Sequence, residues 1–216
     1  MSTYFTEADY ENSVIELFQN LGYAHIYAPE LDRDYSVPFL EDDLKSCLER
    51  INNNLPYAAI AEAVSKLRDF EAGSLIQRNE IFMNYLQNGI TVKYLENGEE
   101  RTNIVYLIDY KNANNNYFCV FNQFTYIENG NNRRPDIVVF VNGLPLVVIE
   151  LKSPSKDEVG AENAYNQIRN YLHDIPSLFI YNAFVVISDL STNKAGTITS
   201  GLDRFLDWKS KDGLRK

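Results

Sequence analysis

The sequence predicts an α/β protein built on a mixed β-sheet with flanking helices, and three observations carry that prediction. Apolar residues recur at helical spacing as far as Asn88, and from Ile90 the period changes to alternation. Within residues 134–152, two apolar, β-branched runs flank Asn142-Gly143 and Pro145, which reads as a β-hairpin with a short loop. A helical stretch at 161–173 and a fully apolar strand at 179–187 then follow. Helix, several strands, helix, strand is an order that yields a mixed sheet with helices packed against it.

Taken in order, Thr6-Glu7-Ala8-Asp9 resembles a capping box and starts the first helix. Tyr10, Val14, Leu17, Phe18 and Leu21 form its expected apolar stripe, and Gly22 stops it. Glu11 lies beside that stripe, either as a metal or hydrogen-bonding group or as a boundary residue, while Glu7 and Glu16 read as exposed. Residues 23–40, with Pro29 and Pro38, read as irregular. Residues 42–88 read as mostly helical, with stripes of Leu44, Leu48 and Ile51, of Ile60, Val64 and Leu67, and of Ile81, Tyr85 and Leu86. The break at Pro56 marks no domain boundary, and this region is expected to pack beside the core or to dock a partner. Residues 91–95 and 102–108 read as strands paired through Asn97-Gly98, and 117–127 as one further strand. Residues 112–116 and 129–134 read as loops. Beyond the hairpin, Pro154 and a polar run to Gly160 stop the strand. The helix at 161–173 shows Ala164, Tyr165, Ile168 and Leu172 as its apolar face, with Gln167 and Tyr171 together one turn apart. Leu202, Phe205, Leu206 and Trp208 suggest a last amphipathic helix.

Composition narrows the class. The chain has 216 residues, 45% hydrophobic and 13% aromatic, enough for one large domain or two small ones with a real core. No apolar run reaches the roughly 18 residues of a membrane span, and the N-terminus has no signal-peptide pattern, so a cytoplasmic protein is expected. Cys47 and Cys119 are far apart and read as reduced and structural. His25 and His173 have no metal-ligand spacing, and the aromatics fall on core periodicities rather than in a base-stacking array. Net charge is −10. Residues 1–45 hold ten acids and two bases, a net of −8, and residues 194–216 hold six bases and three acids, a net of +3. That balance argues against tight DNA binding by this chain alone, because phosphate contact needs Lys and Arg.

The hairpin carries the chemistry. Asp136 opens its first strand, Glu150 closes its second, and Lys152 shares a face with Glu150. A three-residue loop, Asn142 to Leu144, sets Asp136 opposite Glu150; a two-residue Asn-Gly turn pairs it with Ile149 and sends it to the other face. Pro145 favours the first, because it cannot donate to a ladder and suits a loop edge. Two carboxylates and the Leu151 carbonyl suit a hard cation such as Mg²⁺, with Glu11 as a further carboxylate. Such a metal lowers the pKa of bound water from about 15.7 by several units. Lys152 would orient that water or stabilise the phosphorane-like transition state, and Gln167 and Tyr171 would position phosphate or water. Arg133 and Arg134 suit phosphate contact or an ion pair equally. A plain Glu150–Lys152 salt bridge at a sheet edge is the competing reading.

Pro135-Asp136, Glu150-Leu151-Lys152, Ala164-Tyr165-Asn166-Gln167-Ile168-Arg169-Asn170-Tyr171, Tyr181-Asn182-Ala183-Phe184 and Ser188-Asp189 resemble the PD-(D/E)xK nuclease superfamily. More closely, they resemble the N-terminal nuclease domain of the type I restriction enzyme R (HsdR) subunit, over residues 5–209, and Asn122-Gln123-Phe124 fits it too. The resemblance implies a restriction-endonuclease-like mixed β-sheet core at about 90–209, preceded by a helical insertion at about 42–88. It implies that Asp136, Glu150 and Lys152 are the catalytic set, Glu11 the helix-borne acid, and Gln167 with Tyr171 the Q-x-x-x-Y element. Arg133, Arg134 and Arg169 are then the candidate DNA contacts, with double-stranded DNA and the methyltransferase and specificity subunits as partners. The sequence has no G-x-x-x-x-G-K-[ST] phosphate loop, so ATP belongs to a motor region outside it, with residues 210–216 expected to begin a linker to that motor. Two other readings stand beside this one: a non-catalytic docking or regulatory module of the same complex, and a free-standing repair nuclease of the superfamily.

Overall fold

The computed structural model describes residues 6–152, 160–190 and 192–208. The strand stop expected at Pro154 and the linker expected from residue 210 lie outside the described residues. Helix α1 (Glu7–Asn20) starts as the sequence indicates: Thr6 and Asp9 form a reciprocal capping box, and Gly22 follows at φ +91. Its buried face is rotated from the expected stripe. Tyr10 and Ile15 point inward, whereas Leu17 and Leu21 are exposed. Strand β1 (Ala24–Tyr27) lies in the region expected to be irregular; its four residues are too few to show a period.

Three helices follow: α2 (Glu41–Ile51), α3 (Tyr57–Arg68) and α4 (Leu75–Asn88). Leu44, Leu48, Ile60, Val64 and Leu67 are buried as expected, but α4 buries Phe82 and Leu86 rather than Ile81 and Tyr85. Strands β2 (Ile90–Glu96) and β3 (Glu99–Val105) pair through Asn97-Gly98, at φ +52 and +83, and form a separate ribbon packed on α3. These elements share one apolar cluster with Leu144, Leu146, Ile180 and Tyr181.

Among the described residues the main sheet holds seven strands in the order β1-β4-β7-β8-β9-β10-β11. Strand β4 (Phe118–Asn122) ends at Gln123, whose left-handed φ of +56 breaks the longer strand expected there. The chain then makes a small hairpin, β5 (Tyr126–Glu128) with β6 (Asn131–Arg133), inside the expected loop. Strands β7 (Ile137–Val141) and β8 (Leu144–Leu151) form the central hairpin. Helix α5 (Gly160–Asp174) buries Ala164, Ile168 and Tyr171. The expected strand at 179–187 divides: Pro176 starts a one-turn helix, α6 (Pro176–Phe179), and only β9 (Phe184–Ser188) is extended. The last segment is not the expected amphipathic helix: Leu202–Arg204 makes a single 3-10 turn and the rest belongs to a hairpin. Strand β10 (Asn193–Gly196) pairs with β9 and with β11 (Leu206–Asp207), leaving Leu206 and Trp208 exposed.

Alternation along β7 and β8 gives the sheet two apolar faces. Ile137, Val139, Ile149 and Leu151 pack with Tyr10 and Ile15 of α1. Val138, Phe140 and Val148 pack with Ala164, Ile168 and Tyr171 of α5. The helices at 41–88 meet the hairpin at its turn, where Leu40 N–H donates to Gly143 O. They therefore sit at the far end from Asp136 and Glu150, roughly 17 Å away by strand rise. Cys47 and Cys119 are buried free thiols, and burial pushes Cys119 up to about 12.

Candidate active site

The hairpin resolves the register in a way neither sequence alternative described. The turn is the two-residue one: Val141 pairs with Leu144, and Asn142 (φ +53) and Gly143 (φ +81) take the left-handed conformations it requires. The expected three-residue loop is therefore absent. A β-bulge then intervenes. Phe140 pairs with Pro145 but Val139 pairs with Val147, so Leu146 is an extra residue on β8. The slip restores the pairing of Ile137 with Ile149, and that register continued by one residue brings Asp136 opposite Glu150. Pro145 sits at the bulge, where its missing donor is tolerated.

Glu150 is 2% exposed. Its Oε1 accepts from Lys152 Nζ at 2.6 Å, and the same ammonium donates to Leu151 O at 2.9 Å. Among the described residues its Oε2 is buried with no hydrogen-bond partner of good geometry, although the Tyr171 hydroxyl lies close enough to act on this carboxyl. Asp136 Oδ2 accepts from Leu151 N–H at 2.9 Å, and the Lys152 backbone is fixed to β9 through Ser188 O at 2.8 Å. Burial lifts the Asp136 carboxyl to about 6, with Leu151 N–H and Lys152 opposing and Glu7 and Glu11 adding to the rise. Burial and then Asp136 lift Glu150 to about 7 against the pull of Lys152. For Lys152, burial works against the charge, but Glu150 outweighs it and raises the ammonium. Two acids held high beside a charged lysine gather at this end of the hairpin, where buried charge persists only when compensated.

Gln167 and Tyr171 stand over this end of the hairpin from α5. The Tyr171 hydroxyl donates weakly to Arg134 O at 3.4 Å, and burial followed by Glu150 pushes its pKa up. Gln167 is its polar neighbour one turn earlier. Glu11 is not adjacent to Glu150: its two oxygens accept from Asn122 Nδ2 at 2.8 Å and Gln123 Nε2 at 2.7 Å. Among the described residues, no three His, Cys, Asp or Glu side chains converge as a ready metal cluster. Arg133 is paired with Asp174, Nε to Oδ2 at 2.7 Å, taking the ion-pair option. Arg134 and Arg169 are exposed, and Arg169 donates to Ile198 O at 3.5 Å. Asn122 and Gln123 were visible only as family-like residues; a glutamine at positive φ leaves no sequence signal.

With this geometry in place, residues 4–204 match the family model of the type I restriction enzyme R protein N terminus, and the chain belongs to that family. It is 33% identical, over 97% of its length, to the type I restriction enzyme HindI endonuclease subunit of Haemophilus influenzae, covering 21% of that protein. It is 36% identical over 92% of its length to the putative MjaIXP endonuclease subunit of Methanocaldococcus jannaschii, covering 20% of it. It is also 28% identical to the EcoprrI endonuclease subunit of Escherichia coli, over 97% of the chain and 66% of that protein. The chain thus spans about a fifth of the length of the first two relatives. No helix among the described residues is long and apolar enough to cross a membrane.

Proposed function

We propose that this chain is the restriction-endonuclease-like, PD-(D/E)xK nuclease domain of a type I restriction R subunit, hydrolysing phosphodiester bonds of double-stranded DNA with Mg²⁺. The observation that carries this reading is the Glu150 carboxyl. It is 2% exposed and stands beside the half-buried Asp136, and among the described residues its Oε2 has no hydrogen-bond partner of good geometry, only the nearby Tyr171 hydroxyl, which is costly unless a cation satisfies it. Asp136, Glu150 and the Leu151 carbonyl would hold Mg²⁺, with Glu11, which lies near enough to act on Asp136, reaching the ion through one of the waters that complete the shell, as this ion prefers few direct protein ligands. When bound, the ion supplies an acidified water and charge for the phosphate oxygen. Lys152 presents its ammonium at the same edge, where it orients the attacking water and stabilises charge that develops on phosphorus-bound oxygen. Tyr171 and Gln167 hold the phosphate in line from α5, and the exposed Arg134 and Arg169 meet the DNA backbone. In the full enzyme, ATP-driven translocation by a motor region delivers the DNA, and the methyltransferase and specificity subunits select the site; this fits the chain's net charge of −10. The test is Asp136→Ala or Lys152→Ala in the assembled enzyme: cleavage is lost while ATP hydrolysis continues. Cleavage that survives either substitution overturns the reading.

A further inference from the structure

We propose that Gln123 is a positioning residue that ties the helix-borne Glu11 to Asp136, with Asn122 as its second hand. One residue touches both: the Gln123 backbone N–H donates to the main-chain carbonyl of Asp136 at 2.9 Å, and its side-chain Nε2 donates to Glu11 Oε2 at 2.7 Å. Both bonds depend on the left-handed backbone at Gln123, φ +56, which turns the chain at the end of β4. A glutamine there carries a cost of about 1 kcal/mol or more, and such outliers persist where the surroundings enforce them. Glycine is the residue expected at a turn of that shape if only the backbone mattered.

Asn122 completes the clamp. Its Nδ2 donates to Glu11 Oε1 at 2.8 Å, so both oxygens of Glu11 are fixed. A carboxylate only accepts, so the Asn122 amide is oriented with Oδ1 away from it, toward His25 Nε2 at 2.9 Å. His25 is therefore the donor in that contact. The chain His25 to Asn122 to Glu11 to Gln123 to Asp136 joins β1, α1, β4 and β7 at one edge of the sheet. A residue with only a packing role needs neither the amide nor this order of donors.

This inference rests on the metal-site reading above, and Mn²⁺ binding separates the two. Mn²⁺ takes the same oxygen ligands as Mg²⁺ and is paramagnetic, so free and bound ion are counted directly. The unsubstituted chain, Asp136→Asn, Gln123→Gly and Gln123→Asn are titrated with Mn²⁺, and each is melted without metal. Gly and Asn both accept the left-handed backbone, but Gly has no amide and the Asn amide is one methylene short of Glu11. The expected result is that Asp136→Asn loses the ion. Both Gln123 variants melt where the parent does and bind Mn²⁺ about tenfold or more weakly, the size typical of groups that orient metal ligands. Parental affinity in a folded Gln123 variant overturns the positioning role and leaves the nuclease reading intact. Failure of the parent to bind, or binding untouched by Asp136→Asn, overturns the metal site itself. If neither Gln123 variant folds, Gln123 is a structural support and the inference is wrong.

Discussion

Glu150→Gln should make the metal-free chain more stable at alkaline pH and no more stable at acid pH. Glutamine mimics the neutral, protonated carboxyl. The Glu150 carboxyl stands at about 7 in the folded chain against an ordinary 4.5, a balance that already includes the attraction of Lys152. The folded state therefore holds this proton more tightly than the unfolded state does. Stability from the neutral carboxyl is complete below about pH 4.5 and is lost as pH rises through about 7. At 1.36 kcal/mol per pH unit, a rise from 4.5 to about 7 amounts to about 3 kcal/mol at most. Asp136, itself at about 6, relaxes when its neighbour loses charge, and Lys152 loses an ionic partner, so about 1–2 kcal/mol is the expected net gain. Lys152 is raised, so it stays charged across this range and adds no slope of its own. For a domain of this size the gain is about 2–8 °C. Thermal melts in chelator from pH 5 to pH 8.5 read it: the two curves converge at the acid end and separate toward pH 8. Millimolar Mg²⁺ should then stabilise only the parent, because it satisfies the charge that glutamine lacks. A variant less stable than the parent at pH 8, or a gap that does not change with pH, refutes this account of Glu150.

Three further outcomes follow from the same geometry. Gly143→Ala should cost about 1–3 kcal/mol in denaturant unfolding, because φ is +81 and the new Cβ would stand 2.6 Å from Leu40 O and 2.8 Å from Leu44 N. Asn142→Ala should cost about 2–4 kcal/mol by the same measurement, since the buried amide accepts from Tyr117 N–H and donates to Leu107 O and Asn116 Oδ1. Arg133→Ala, which breaks a half-exposed pair with Asp174, should cost less than about 1 kcal/mol and leave Mn²⁺ affinity unchanged.

The elements legible in the sequence are those whose pattern is long or whose punctuation is specific. The capping box at Thr6, the stripes of α2 and α3, the Asn97-Gly98 hairpin and α5 all have one or the other. What escaped was decided by neighbours. Strand β1 is four residues long and is extended because β4 offers it a parallel partner. The apolar run at 179–187 divides because Pro176 opens a helical turn and Asn182 then spends its amide on Leu146 O and Phe184 O. Leu202, Phe205 and Leu206 look helical by spacing, yet Phe205 is drawn under Tyr165 of α5, which leaves Leu206 exposed at the sheet edge.

The hairpin shows how the nearness of candidate residues can be legible while the construction that brings them together is not. Asn142-Gly143 dictates a two-residue turn, and Asp136 and Glu150 share a face only if one more residue enters the ladder. Each rule was sound by itself, and together they conflicted. The conflict is removed by Leu146, whose carbonyl accepts from Ala183 N–H at 2.8 Å and is thereby tied to the chain entering β9. Pro145 beside it cannot donate, so the ladder is weakest just where the extra residue enters. The proline that suggested a longer loop thus marks the bulge instead. Without that bulge, Asp136 would face α1 beside Ile137's neighbours, and the buried Glu150 would have no second acid opposite it. The position of the acids is therefore set at the turn end of the hairpin, about five residues away, where the helices at 41–88 pack against Gly143 and Leu144. That packing ties the helical region to the register of the hairpin, at the end away from the two acids.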